Sequence, residues 1–167
     1  MAEKLTEKVI VNCIRDFLIN KKDGNWHEEK VRETGLHQHG ADLILVGGNR
    51  NSERFIIECK GKSYAKSASS VNKEGWLVAL GQLITRMNTQ RIIQNGARRG
   101  DVNRAYKYGL GLYWIGAQVA LRRIPREIAK VLNLYVFSVD DRGFVKQWTP
   151  RDFGKDHADY EFQGEED

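Results

Sequence analysis

The sequence predicts an α/β protein built on one central mixed sheet flanked by helices. Three observations carry that expectation. Residues 3–20 repeat apolar side chains at helical spacing. Two β-prone apolar runs, around residues 43–46 and 55–57, flank a turn rich in Gly and Asn. Beyond them, helical and strand patterns alternate, and the whole order reads α-β-β-β-α-β-α-β-β.

The first helix spans residues 3–20. Leu5, Val9, Cys13 and Phe17 recur every fourth position, with Ile10, Ile14 and Leu18 beside them, so a broad face is buried. Asn20-Lys21-Lys22-Asp23-Gly24 is a helix exit. The polar stretch 25–34 is assigned a first, short strand. Next comes a hairpin, joined by Gly47-Gly48-Asn49-Arg50-Asn51-Ser52. Residues 61–71 form a Ser/Lys-rich loop. A second helix is expected from Asn72 to Gln94, with Trp76, Leu77, Leu80, Leu83, Ile84 and Met87 on its apolar side. Residues 108–115 read as a strand in which Gly109 and Gly111 imply close packing against a neighbour. Pro125 opens a third helix through Asn133. Residues 134–139 and 143–148 make a closing hairpin around Asp140-Asp141-Arg142. Trp76, Trp114 and Trp148 lie in apolar runs and are expected in the core.

The length of 167 residues suits one domain, expected over 1–150, followed by an acidic tail over 151–167. The net charge of +5 conceals an asymmetry. Residues 152–167 hold seven acids and one base, which leaves 26 bases and 15 acids, or +11, in the rest. A body this basic points to a polyanionic partner, and the tail reads either as a solvated end or as a segment that lies over the basic surface and competes with that partner. No apolar run approaches a membrane span, and Met1-Ala2-Glu3-Lys4 is not a signal peptide. Cys13 and Cys59 make neither a disulfide framework nor a zinc motif. The expectation is a cytoplasmic protein with no membrane partner and no organic cofactor.

Chemistry concentrates in the first hairpin. Asp42 opens one strand, in His39-Gly40-Ala41-Asp42-Leu43-Ile44; Glu58 and Lys60 end the other, in Phe55-Ile56-Ile57-Glu58-Cys59-Lys60. Alternation puts Glu58 and Lys60 on one face with Ile56. A turn centred near Arg50 sets Asp42 opposite Glu58, Ile44 opposite Ile56 and Val46 opposite Arg54. Opposed Cβ atoms lie roughly 4.5–5.5 Å apart, and like charges placed so are destabilising unless a cation joins them. Glu-x-Lys alone is a poor signal, since Glu28-Glu29-Lys30 fits it too. The apolar lead-in and the opposed Asp42 set Glu58-Cys59-Lys60 apart. Cys59 points to the other face and is expected to pack in the core.

This order and these residues resemble the restriction-endonuclease-like PD-(D/E)xK nuclease superfamily. The resemblance implies an αβββαβ core over residues 3–115, with an added C-terminal helix and β-hairpin. Asp42 matches the motif's first acid, Glu58 the second and Lys60 the lysine, while Ala41 stands where the motif has proline. Glu7 resembles an acid that some members add from the first helix, and Gln82 a helix glutamine near the site. The implied cofactor is Mg²⁺, with Mn²⁺ as substitute, held by Asp42, Glu58 and the backbone carbonyl of Cys59. Such an ion polarises phosphoryl oxygens and acidifies water, the two needs of phosphodiester hydrolysis. Lys60 would orient water or neutralise phosphate.

The implied activity is DNA hydrolysis by an endonuclease of restriction or repair type. Lys62, Lys66, Arg98, Arg99, Arg104 and Lys107 are the candidate DNA-backbone contacts, the loop at Arg98-Arg99-Gly100 being the best placed to approach a phosphate. A homodimer would match the twofold symmetry of a duplex, with Tyr113-Trp114-Ile115 and the closing hairpin as interface material. His27, His37 and His39 are not assigned as ligands. Two rival readings are a non-catalytic nucleic-acid-binding protein of the same fold, and a protein whose basic face meets an acidic partner.

Overall fold

The computed structural model describes residues 4–21, 25–29, 41–47, 53–64, 68–87 and 106–154. Four helices occur among them, α1 (Glu7–Asn20), α2 (Ala68–Arg86), α3 (Trp114–Arg123) and α4 (Arg126–Leu132). Six strands, β1 (His27–Glu28), β2 (Leu43–Gly47), β3 (Glu53–Lys60), β4 (Tyr106–Tyr113), β5 (Leu134–Val139) and β6 (Val145–Trp148), form one mixed sheet in sequential order. The β3–β4 and β4–β5 pairs are parallel and the others antiparallel. Lys66, Arg98, Arg99, Arg104, His37, His39 and the tail beyond Gly154 lie outside the described residues.

Strand alternation divides the core into two layers. On one face Phe55, Ile57 and Cys59 of β3 pack with Leu43, Leu45, Phe137 and Val139 against Ile10, Ile14 and Leu18 of α1. On the other, Tyr108, Leu110, Leu112, Leu134 and Val136 pack against Ala79 and Leu83 of α2 and Ala117, Ala120 and Leu121 of α3. A parallel step needs a crossover connection, and two steps advancing in the same direction carry their helices to one face. Gly111 shows how closely α1 sits on the sheet. A Cβ there would stand 2.5 Å from both Cys59 Sγ and Ile14 Cδ1. Trp26 and Trp148 are buried, and Trp76 and Trp114 are partly buried against the core.

The structure moves several expected boundaries. Helix α2 starts at Ala68 rather than Asn72 and ends at Arg86. β4 stops at Tyr113, and Trp114-Ile115, expected to finish that strand, open α3. The alternating Gly109 and Gly111 mask where strand gives way to helix, because neither carries a side chain to set the period. Helix α3 itself was not expected. Its buried positions are Gly116, Ala117, Ala120 and Leu121, small residues that leave a weak apolar signal. Tyr113, offered as interface material, is buried in the chain's own core, with Trp114 and Ile115 packed on it. Phe144, in the closing hairpin, remains exposed.

Candidate active site

The hairpin register is the expected one. Ile44 pairs with Ile56 and Val46 with Arg54, so the next step of the ladder sets Asp42 against Glu58. Cys59 N–H donates to Asp42 Oδ2 at 2.7 Å. A residue's N–H and C=O leave a strand on the same edge, so the odd residues of β3 turn their peptides toward β2. The Asp42–Glu58 position is therefore a non-hydrogen-bonded pair, the closer of the two kinds, with Cα atoms about 4.5 Å apart. The carbonyl of Cys59 leaves on the same edge, beyond the point where β2 begins.

The Cys59 side chain lies on the opposite, α1 face and is fully buried, as expected of a core residue. Burial and the surrounding carboxylates of Asp42, Glu58 and Glu7 push its thiol well above the ordinary value. It is no thiolate nucleophile.

Glu58 is 1% exposed. Burial, then the facing Asp42, raise its carboxyl to about 7, against the opposing pull of Arg86. Arg86, in the last turn of α2, meets Glu58 Oε1 through Nε as a buried ion pair. Gln82 lies four residues earlier on the same stripe. Ion pairing apart, neither Glu58 oxygen accepts a hydrogen bond among the described residues, and Gln82 Oε1 is buried in the same condition.

Lys60 occupies the rim. Its Cβ faces α2 at Gly75, where a Cβ would lie 3.6 Å away. Its Nζ turns round the sheet end to Glu7 Oε2, at 2.9 Å. Asp42 and Glu58 thus face each other near the carboxyl end of β3, and Glu7 reaches that end through its ion pair with Lys60. That end is clamped from both sides. A Cβ on Gly61 would come within 2.5 Å of Glu7 N, and Lys62 N–H donates to Leu5 O at 2.8 Å. Asn72 of α2 exchanges two hydrogen bonds with the Ser63 backbone.

The two described candidate DNA contacts are placed differently. Lys62 pairs with Asp141 Oδ1, lies 4.5 Å from the Tyr113 ring centroid and 5.5 Å from that of Tyr64. Tyr113 O–H donates to Asp141 Oδ2 at 2.9 Å. This second ionic cluster borders the first at the same sheet end. Lys107 is elsewhere. It pairs with Phe55 in the ladder, three positions before Glu58 and on the α1 face, where it meets Glu53 at 2.9 Å and stands 5.3 Å from the Trp26 ring centroid.

Arg86 is not among the site residues the sequence singles out, and nothing in the sequence reading connects it to Glu58. The signal was present in its four-residue spacing from Gln82, which puts both on one helix stripe. The partnership of Lys62 with Asp141 had no such signal, because the two are 79 residues apart.

The oxygens at this sheet end suit a hard divalent ion. The Asp42 and Glu58 carboxylates and the Cys59 peptide edge are oxygen donors of the kind Mg²⁺ takes, with water completing the set. Gln82, on the helix stripe that carries Arg86, holds a buried side-chain oxygen without a hydrogen bond among the described residues. No group of three or more His, Cys, Asp or Glu gathers among the described residues, so the acid pair needs such neutral oxygens beside it. No described helix is long and apolar enough to cross a membrane. Comparison with models of protein families, with curated proteins and with solved structures finds no match to this chain.

Proposed function

We propose that this protein is a metal-dependent nuclease that hydrolyses DNA phosphodiester bonds at the carboxyl end of β3. The observation that carries the reading is Glu58, buried and directly opposed to Asp42, with its carboxyl raised to about 7. An acid pair held this way attracts a cation more strongly than an exposed pair. The element order α1-β1-β2-β3-α2-β4 supports a restriction-endonuclease-like αβββαβ core, with α3, α4, β5 and β6 as additions.

A divalent ion, when bound, supplies a Lewis acid for the phosphoryl oxygens and a more acidic water. The chain's own parts divide the remaining work. Asp42 and Glu58 hold the ion. Lys60, at the rim and steadied by Glu7, is placed to meet the negative charge that grows on the phosphate. The clamps at Gly61 and Ser63 keep these groups on rigid elements, which preserves their orientation.

A panel of supercoiled, linear, branched and single-stranded DNA and of RNA, each incubated with and without Mg²⁺ or Mn²⁺, tests the reading. Cleavage that needs the metal and disappears in Glu58→Gln supports it. Metal-independent cleavage, or full activity in Glu58→Gln, excludes this site. Plasmid kinetics also separate a dimer, which gives linear product directly, from a monomer, which accumulates nicked circles.

One observation favours a second reading. Arg86 already supplies a cation to Glu58, an arrangement suited to a non-catalytic nucleic-acid-binding protein of the same fold. Salt-sensitive DNA binding without divalent binding would establish it.

A further inference from the structure

We propose that Arg86 is a built-in counter-cation that occupies the divalent ion's place on Glu58 and is displaced when the ion binds. The inference rests on the nuclease reading but concerns a residue that reading does not use. Three features carry it. Arg86 Nε pairs directly with Glu58 Oε1, an oxygen of the carboxylate proposed to hold the ion. Glu58 is almost wholly buried, so it needs a nearby positive charge in every ionised state. Arg86 is the last residue of α2, with its side chain 20% exposed, so a rotamer change can carry the guanidinium toward solvent.

Two cations on one carboxylate repel each other, and the guanidinium cannot shed its proton to avoid this. In the proposed exchange the ion takes the carboxylate from Arg86, and the Arg86–Glu58 pair opens. Metal affinity is reduced by the strength of that pair. In exchange, the metal-free site is spared a buried Glu58 carboxylate with no counter-charge, facing a half-buried Asp42.

The test is calorimetric titration of MnCl₂ and MgCl₂ into the full chain, paired with thermal unfolding in EDTA. Arg86→Gln is expected to bind Mn²⁺ roughly ten- to a hundredfold more tightly than the wild type, the range a charge-assisted bond implies. Arg86→Lys, which keeps a charge on a more mobile stem, should fall between, and serves if the Gln variant does not fold. In EDTA, Arg86→Gln should unfold at lower temperature, and adding Glu58→Gln should recover most of the loss.

Equal Mn²⁺ affinity in wild type and Arg86 variants overturns displacement while leaving the metal reading intact. Absence of divalent binding in wild type and Arg86 variants alike overturns the metal reading and displacement together. A loss of affinity in Arg86→Gln overturns the proposal in the other direction, since Arg86 would then support the ion rather than compete with it.

Discussion

Two ionic clusters border each other at one end of the sheet, and they are balanced differently. The exposed cluster sets one lysine, Lys62, against one carboxylate, Asp141, with Tyr113 O–H as a further donor. Its members satisfy each other. The hydrogen bond to Asp141 raises Lys62, and although burial opposes it, the bonds from Lys62 and Tyr113 hold Asp141 below the ordinary carboxylate range. The buried cluster sets two carboxylates, Asp42 and Glu58, against one guanidinium, Arg86. There burial and like charge prevail, and Glu58 rises to about 7. Each cluster contains an acid–base pair, yet among the described residues the first sets one acid against one base and the second sets two acids against one. The imbalance, not the presence of charge, marks the candidate site.

The strongest way to break this comparison is to remove an acid from the buried cluster. Asp42→Ala or Glu58→Gln should reduce metal-dependent cleavage on the order of 10²–10³-fold or more, and calorimetry should lose the Mn²⁺ signal. Asp141→Asn, the matched change in the exposed cluster, should leave both readouts near the wild type. Equal damage from the two changes would mean that the clusters act as one site.

Lys60 provides the next largest effect. It touches Glu7 at the rim, where the proposed nuclease activity puts the phosphate. Lys60→Ala should lower turnover by roughly 10²-fold while changing DNA affinity only a few-fold, because its contribution grows in the transition state. Single-turnover rates set against binding isotherms measure the two separately. A parallel fall in both would assign Lys60 to uniform binding.

Acidity sharpens the contrast without a substrate. A carboxyl raised from 4.5 to about 7 on folding favours the protonated folded state. Its stabilising contribution is therefore complete below about pH 4.5 and is lost as pH rises through about 7. Urea unfolding of the metal-free protein should show stability falling across that window by on the order of 2 kcal/mol relative to Glu58→Gln, which has no such titration. Gln is the informative replacement, because Ala would also leave Arg86 beside a cavity. Excess Mn²⁺ should flatten the wild-type dependence. A wild type and a variant with the same pH profile would show that Glu58 is already compensated.

The sequence made the hairpin legible because strand chemistry is local. Alternation and turn length set the register, and Ile44↔Ile56 and Val46↔Arg54 follow from them. Cys59 was likewise readable, as the opposite parity to Glu58, whereas Glu7 was singled out through the resemblance alone. Helix α3 was not, because its buried stripe is made of Gly and Ala, which carry little hydrophobic contrast. Arg86 and Asp141 show a different limit. Each was visible as a charge, but its partner is fixed by how α2 and the closing hairpin dock on the sheet, a tertiary outcome that sequence spacing does not encode.

The smallest expected effects belong to the exposed cluster, and they decide what Lys62 is for. Exposed pairs contribute only about 0.2–1 kcal/mol, so neither Lys62→Ala nor Asp141→Asn should change stability by more than that. DNA affinity should separate the two changes. If Lys62 meets a backbone phosphate, the phosphate must take it from Asp141, and Asp141 weakens binding by holding it back. Asp141→Asn should then bind DNA a few-fold more tightly at low salt. Lys62→Ala should bind less tightly and reduce the slope of log affinity against log salt by about one. In the double variant the gain from Asp141→Asn should disappear, since no lysine is left to release. A gain that persists without Lys62 would mean that Asp141 repels DNA directly. Unchanged affinity in all three variants would make Lys62–Asp141 a structural tie between the end of β3 and the closing hairpin, leaving only the unbalanced cluster to meet the substrate.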